Sequence, residues 1–289
     1  MSSIAVASTF MALLGVALAS LLSVANRRLY VYEDPRIEQV MSMLPNSNCG
    51  ACGMAGCRNF AEKVIAAELK PAHCTVNAPD KAQGIASFLG VDVGEVEKRV
   101  ARLACAGAKH VAYFRARYAG HKTCRAAALV GGGGKGCAWG CLGLGDCEAA
   151  CELDAIYLDK HSLPHVIADH CTACGDCVEV CPKDLFSLQP LSRKLWVNCK
   201  NLADGETAER DCEVACTACG RCAAAAPGLI RLQDNLAFID YARNEFAAFE
   251  AIERCPTGAI VWLEDGRNPT KGQAAKKIVR QTALPVMRG

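Results

Sequence analysis

CAWGCLGLGDCEAAC, from Cys137 to Cys151, and CTACGDCVEVCP, from Cys171 to Pro182, form the stretch on which the reading of this chain turns. Eight cysteines fall there in two tandem runs. The second run, C-x2-C-x2-C-x3-C-P, is the bacterial two-cluster iron-sulfur spacing, in which the fourth cysteine ligates the other cluster. Crossed ligation then predicts one 4Fe-4S site from Cys171, Cys174, Cys177 and Cys151, and a second from Cys137, Cys141, Cys147 and Cys181. The first run is looser, C-x3-C-x5-C-x3-C, and lacks the proline.

Working outward, the 289-residue chain carries 20 cysteines and a formal net charge of only +2. Repeated C-x2-C pairs are too tight for most disulfide frameworks and suit metals or clusters, whose thiolates must be kept reduced. The near-zero charge gives no sign of a nucleic-acid partner. At the N-terminus, Ile4 to Ala25 is an uncharged apolar run of 22 residues. As a helix it extends about 33 Å, enough for the hydrocarbon core of a bilayer. A cleavable signal peptide would need a basic n-region, and no Lys or Arg precedes Arg27. Arg27 and Arg28 follow the run directly, so the positive-inside rule predicts a single-pass anchor in the cytoplasmic membrane with the cysteines on the cytoplasmic side.

Between the anchor and the central runs lies a further set, Cys49, Cys52, Cys57 and Cys74, spaced C-x2-C-x4-C-x16-C. Gly50, Gly53 and Gly56 let the backbone wrap a compact inorganic core and aim N–H groups at its sulfurs. Arg58 to Leu69 has helical periodicity, and Pro71 ends it so that Cys74 can close the site. Four cysteines also suit structural zinc, but beside the central runs a 4Fe-4S cluster is the better expectation.

An apolar N-terminal helix ending in Arg27-Arg28, followed by Leu44-Pro45 through Cys57 and then Cys74, resembles the B subunit of the Rnf electron transport complex in its long form. The resemblance covers nearly the whole chain. The C-x2-C-x4-C-x16-C domain alone is similar to one in corrinoid iron-sulfur proteins, and the helix in front of it makes the distinction. Membership implies an iron-sulfur subunit that relays electrons between soluble ferredoxin and the other membrane and flavin- or NAD-binding subunits. It also implies that the whole complex couples ferredoxin:NAD oxidoreduction to Na+ or H+ movement. A membrane reductase serving a redox-sensing regulator and a zinc-bound scaffold are the alternative readings.

Further along, Cys216-x2-Cys219-x2-Cys222-x3-Ala226-Pro227 repeats the central motif with alanine as its fourth member. Counting back from Cys255-Pro256 reaches Glu245, Ala248 and Ala251 where cysteines belong. Under crossed ligation these four losses, Ala226 included, remove one entire cluster and leave Cys216, Cys219, Cys222 and Cys255 as a complete set. Ala226, Ala248 and Ala251 would fill the vacated volume. Cys105, Cys124, Cys199 and Cys212 belong to none of these runs. Four clusters are therefore expected, and the leftover cysteines make a fifth arithmetically available. No catalytic residues are expected, and the six histidines are scattered.

The fold class read from this pattern is α+β: a transmembrane helix, a small 4Fe-4S domain, then tandem ferredoxin-like modules. The boundaries expected are 1–28 for the anchor, 36–95 for the 4Fe-4S domain and 96–135 for a linker or helical segment. The two-cluster module follows at 136–192, a degenerate one-cluster module at 193–266 and a basic tail at 267–289. Val91 to Ala106 reads as helix, with Glu95, Glu97, Lys98 and Arg99 on a solvated face. Lys109 to Tyr118 is basic and aromatic, suited to solvent or to an acidic ferredoxin. Gly131 to Gly136 reads as a flexible approach to the cluster module, and the polar tail as disordered, with lipid or a partner subunit as its alternative contacts.

Overall fold

The computed structural model describes residues 2–29, 33–264 and 268–287. Helix α1, Ser2–Leu29, is apolar on every side, and from Ala5 onward none of its residues is buried by the rest of the chain. A helix hydrophobic all round with nothing packed on it is matched to lipid rather than to a protein core. Arg27 and Arg28 close its last turn.

Three helices follow: α2 (Arg36–Met43), α3 (Cys57–Ile65) and α4 (Pro79–Leu89). Val40, Phe60, Val64 and Ile85 are fully buried among them. Pro79 starts α4, where its missing N–H costs nothing, and Gly90 ends it in the left-handed conformation at φ +68°.

The helix expected over Val91 to Ala106 is instead strand β1, Arg99–Leu103, antiparallel to β4, Phe186–Pro190. Between them in sequence come α5 (Cys124–Leu129), α6 (Asp146–Ala149), the β2–β3 hairpin (Ile156–Leu158 with Pro164–Val166) and α7 (Asp176–Val180). The charges at 95–99 resemble a solvated helical face, but pairing decides the conformation. Glu97 accepts from the Ser192 amide at 2.7 Å and Arg99 donates to the Leu188 carbonyl at 2.8 Å. The supposed linker thus supplies a strand to the central module.

The second module repeats the first. It contains β5 (Leu195–Val197), α8 (Gly205–Asp211), α9 (Arg221–Ala225), the β6–β7 hairpin (Ile230–Gln233 with Leu236–Ile239), α10 (Glu250–Glu253) and β8 (Ile260–Trp262). Asp234 and Asn235, both at positive φ, make the two-residue hairpin turn. The signature of the repeat is at the helix starts. Gly145, Gly175 and Gly220, at φ +90°, +102° and +75°, precede α6, α7 and α9, each of which carries a cysteine in its first turn. The fourth member, α10, begins after Phe249 with no glycine and no cysteine. There Ala251 is fully buried and Ala226 packs near it, whereas Ala248, expected to fill the same volume, and Glu245 are exposed.

The tail is docked, contrary to the expectation of disorder. Strand β9, Thr270–Lys271, pairs with β8; the Leu284 amide donates to Lys109 O at 3.0 Å and the Met287 amide to Phe114 O at 2.8 Å. Arg280 pairs with Glu213 at 3.0 Å. Arg267 lies outside the described residues. These anchors are backbone bonds and one ion pair, which leave no trace in hydropathy. A Cβ on Gly272 would collide with the Ile252 carbonyl oxygen. Gly272→Ala is therefore expected to release the tail at a cost of about 1–3 kcal/mol, read as faster hydrogen exchange over residues 268–287. Unchanged exchange there would refute the tight docking.

Candidate metal centres

The chain's 20 cysteines gather into five quartets. Cys49, Cys52, Cys57 and Cys74 line one cavity together with Phe60. Asn48 holds its shape: its Oδ1 accepts the Cys57 amide at 2.9 Å, and a Cβ on Gly56 would meet the same oxygen. Cys216, Cys219, Cys222 and Cys255 line a second cavity. Cys151, Cys171, Cys174 and Cys177 form a third group, in which the other three sulfurs all act on Cys177. These three groupings are the ones the spacing predicts.

The other two differ. Cys124, Cys141, Cys147 and Cys181 line one cavity, and Cys105, Cys137, Cys199 and Cys212 line another. Cys137 is thus not brought to Cys141, Cys147 and Cys181, and Cys124 stands in its place. Local contacts explain the exchange. The Asp146 carboxylate accepts the amides of Cys124 and Arg125 at 2.8 and 3.1 Å, drawing the start of α5 against Cys147. Gly136 donates to Tyr113 O at 2.9 Å and Lys135 bridges Phe114, which turns Cys137 the other way. The irregular x3 and x5 gaps around Cys141 are the available signal that Cys137 stands outside the motif.

Neighbouring quartets touch. Beside Cys74, Thr75 Oγ1 donates to Thr172 O at 3.2 Å, next to Cys171. Cys147, Cys171 and Cys177 are buried in one hydrophobic cluster with Cys151 and Cys181 packed on it. The Cys141 amide donates to Cys105 Sγ at 3.4 Å, and the Cys216 amide bonds the Cys199 sulfur. The quartets therefore follow one another in space, headed by Cys49, then Cys151, Cys124, Cys105 and Cys216.

Backbone amides converge on the sulfurs, as where Ala101 donates to Cys171 at 3.4 Å and Gly107 to Cys105 at 3.3 Å. Such bonds favour the thiolate. At other cysteines burial outweighs the amides: the thiols of Cys141, Cys147, Cys177, Cys199 and Cys212 are pushed up to about 12, and that of Cys222 to about 11. Buried thiols of this kind become ligands when a cation takes the place of their protons. Among the described residues no three His, Cys, Asp or Glu side chains close on a single point as one metal ion requires. Four of the quartets instead line cavities, the arrangement a polynuclear core needs.

Two family models match the same regions: an Fe-S cluster domain over residues 44–76 and a 4Fe-4S dicluster domain over residues 138–188. The second begins just after Cys137. Fold and site together define a helix-anchored iron-sulfur protein of the α+β ferredoxin type. Three relatives extend the match along the chain. The B subunit of the Na(+)-translocating ferredoxin:NAD(+) oxidoreductase complex of Acetobacterium woodii is 36% identical, over 83% of this chain and 72% of its own length. The corresponding B subunit of the ion-translocating oxidoreductase complex of Methanosarcina acetivorans is 34% identical, over 86% and 94%. That of the proton-translocating ferredoxin:NAD(+) oxidoreductase complex of Clostridium ljungdahlii is 33% identical, over 92% and 95%. The chain belongs to this family, the B subunits of ion-translocating (Rnf-type) oxidoreductase complexes.

Proposed function

We propose that this chain is the iron-sulfur relay of its complex, holding five 4Fe-4S clusters and exchanging electrons between soluble ferredoxin and NAD- or flavin-binding partner subunits. The observation that carries the reading is the unbroken contact between successive cysteine quartets. A bound 4Fe-4S cluster supplies one-electron chemistry at a potential set by charge, burial and hydrogen bonds to its sulfurs. The protein's part is to hold four thiolates per site, exclude water and aim amides and helix starts at the sulfurs. A zinc-bound scaffold is the alternative, and iron and zinc quantification on the purified chain separates the two.

Arg27 and Arg28, at the end of α1, support an orientation with the cysteines on the cytoplasmic side, where thiols are kept reduced. Lys122 and Arg125, both exposed, flank Cys124. That charge suits an acidic ferredoxin. NAD, flavin and ion translocation belong to other subunits of the complex in this reading.

The complex, purified anaerobically with its partners, is expected to reduce NAD with reduced ferredoxin as donor. The double variant Lys122→Glu, Arg125→Glu should lower the second-order rate with ferredoxin roughly tenfold at low salt, and less as salt rises. A chain that is colourless and zinc-loaded would sink the relay. A ferredoxin rate untouched by the charge reversal would sink the docking site.

A further inference from the structure

Lys135 is buried, with 6% of its surface exposed, at the end of the Gly131 to Gly134 run. That run is a set of tight left-handed turns rather than a loose approach, and it delivers the lysine into the interior. Its ammonium donates to the carbonyl oxygens of Gly107 and Cys141 and lies 5.7 Å from the centre of the Phe114 ring. All three partners are neutral. The buried carboxylate on this side, Asp211, is engaged by Arg115 at 3.4 Å, and among the described residues no carboxylate pairs with Lys135.

A buried ammonium without a counter-charge is costly and is retained only where an anion compensates it. Its two carbonyl partners show where that anion belongs. Gly107 abuts the sulfurs of Cys105 and Cys212, and Cys141 is a member of the neighbouring quartet. The Cys141 amide in turn donates to Cys105 Sγ. Lys135 thus stands at the seam between the Cys105 and Cys124 quartets. Space is kept for it: a Cβ on Gly140 would lie 2.9 Å from Lys135 Cε and 3.3 Å from Cδ.

We propose that Lys135 is a potential-tuning residue, a fixed positive charge shared by the Cys105 and Cys124 quartets that makes both of their clusters easier to reduce. The proposal rests on the reading that these quartets hold clusters. Its physical basis is that reduction adds one negative charge to a cluster, which an adjacent buried cation stabilises more than it stabilises the oxidised form.

The test is an EPR-monitored redox titration of the anaerobically purified full-length chain, wild type against Lys135→Met, with iron quantified in both. Full iron, with two of the five signals shifted negative by about 59 mV, a tenfold change in a one-electron equilibrium constant, supports the assignment. In a Cys105→Ala background only one signal should shift. Full iron with unmoved potentials overturns it. If Lys135→Met loses iron, Gly140→Ala decides, since it displaces the ammonium while leaving the lysine in place. A negative shift of the same two signals in that variant supports the proposal and unmoved signals refute it. Fewer than five clusters in the wild type would instead overturn the underlying ligand assignment, a separate outcome.

Discussion

Replacing Cys105 and Cys137 together by alanine is expected to remove about four irons per chain, whereas replacing Cys105 and Cys124 together removes about eight. The first pair lines one cavity and the second pair lines two. A site that has lost one ligand of four is already compromised, so a second loss in the same site adds little, while a loss in another site adds fully. The motif grouping, with the four cysteines outside the motifs taken as a fifth set, forecasts the opposite result, because it places Cys137 with Cys141 and leaves Cys105 with Cys124. Iron and acid-labile sulfide measured on anaerobically purified variants separate the two groupings without needing activity. Eight irons lost from the Cys105, Cys137 pair would refute the structural grouping.

Stripping the iron anaerobically with a chelator is expected to unfold the chain from β1 onward while leaving α1 helical. The strands there are two to five residues long, in sheets of two or three strands. Cysteines make up part of each module's buried core: Cys216, Cys222 and Cys255 in one, Cys147, Cys171 and Cys177 in the other. Cores this small supply little folding free energy by themselves. Structural metal sites contribute on the order of 10 kcal/mol each, so removing them exceeds any plausible remaining stability. Without iron the thiols held near 12 by burial stay protonated at neutral pH, and four neutral thiols around a cavity no longer tie its walls together. Loss of far-UV dichroism and of protease resistance reports the collapse. An iron-free chain still resistant to protease over residues 99–264 would refute the claim that clusters hold the fold.

The repeat at the helix starts is incomplete in the second module. Left-handed glycines precede α6, α7 and α9, but not α10. Glycine there sets the turn that aims the helix start at the sulfurs, so with the cysteines gone the turn is no longer required. Phe249 now packs edge-on against Trp262, 6.0 Å between ring centres. Side-chain contacts stand at this position, where the other three helix starts present a cysteine.

Much of this protein is legible in its sequence because cluster ligation is local. C-x2-C-x2-C-x3-C spacing fixes three ligands on one loop and helix start, and the apolar run before Arg27 needs no tertiary partner to be read as a membrane helix. What the tertiary structure alone decided are the pairings between segments distant in the chain. Strand β1 exists because β4 lies beside it, and the tail docks through backbone bonds that composition does not record. Cys124 and Cys137 exchange quartets because Asp146 draws one of them in while the Tyr113 and Phe114 backbone turns the other away. Lys135 becomes a buried cation because a glycine run folds into tight turns beneath it. Spacing specifies which cysteines start a site; only three-dimensional proximity specifies which distant cysteine completes it, since a thiolate ligand is chosen by distance and carries no mark of its partner in the sequence.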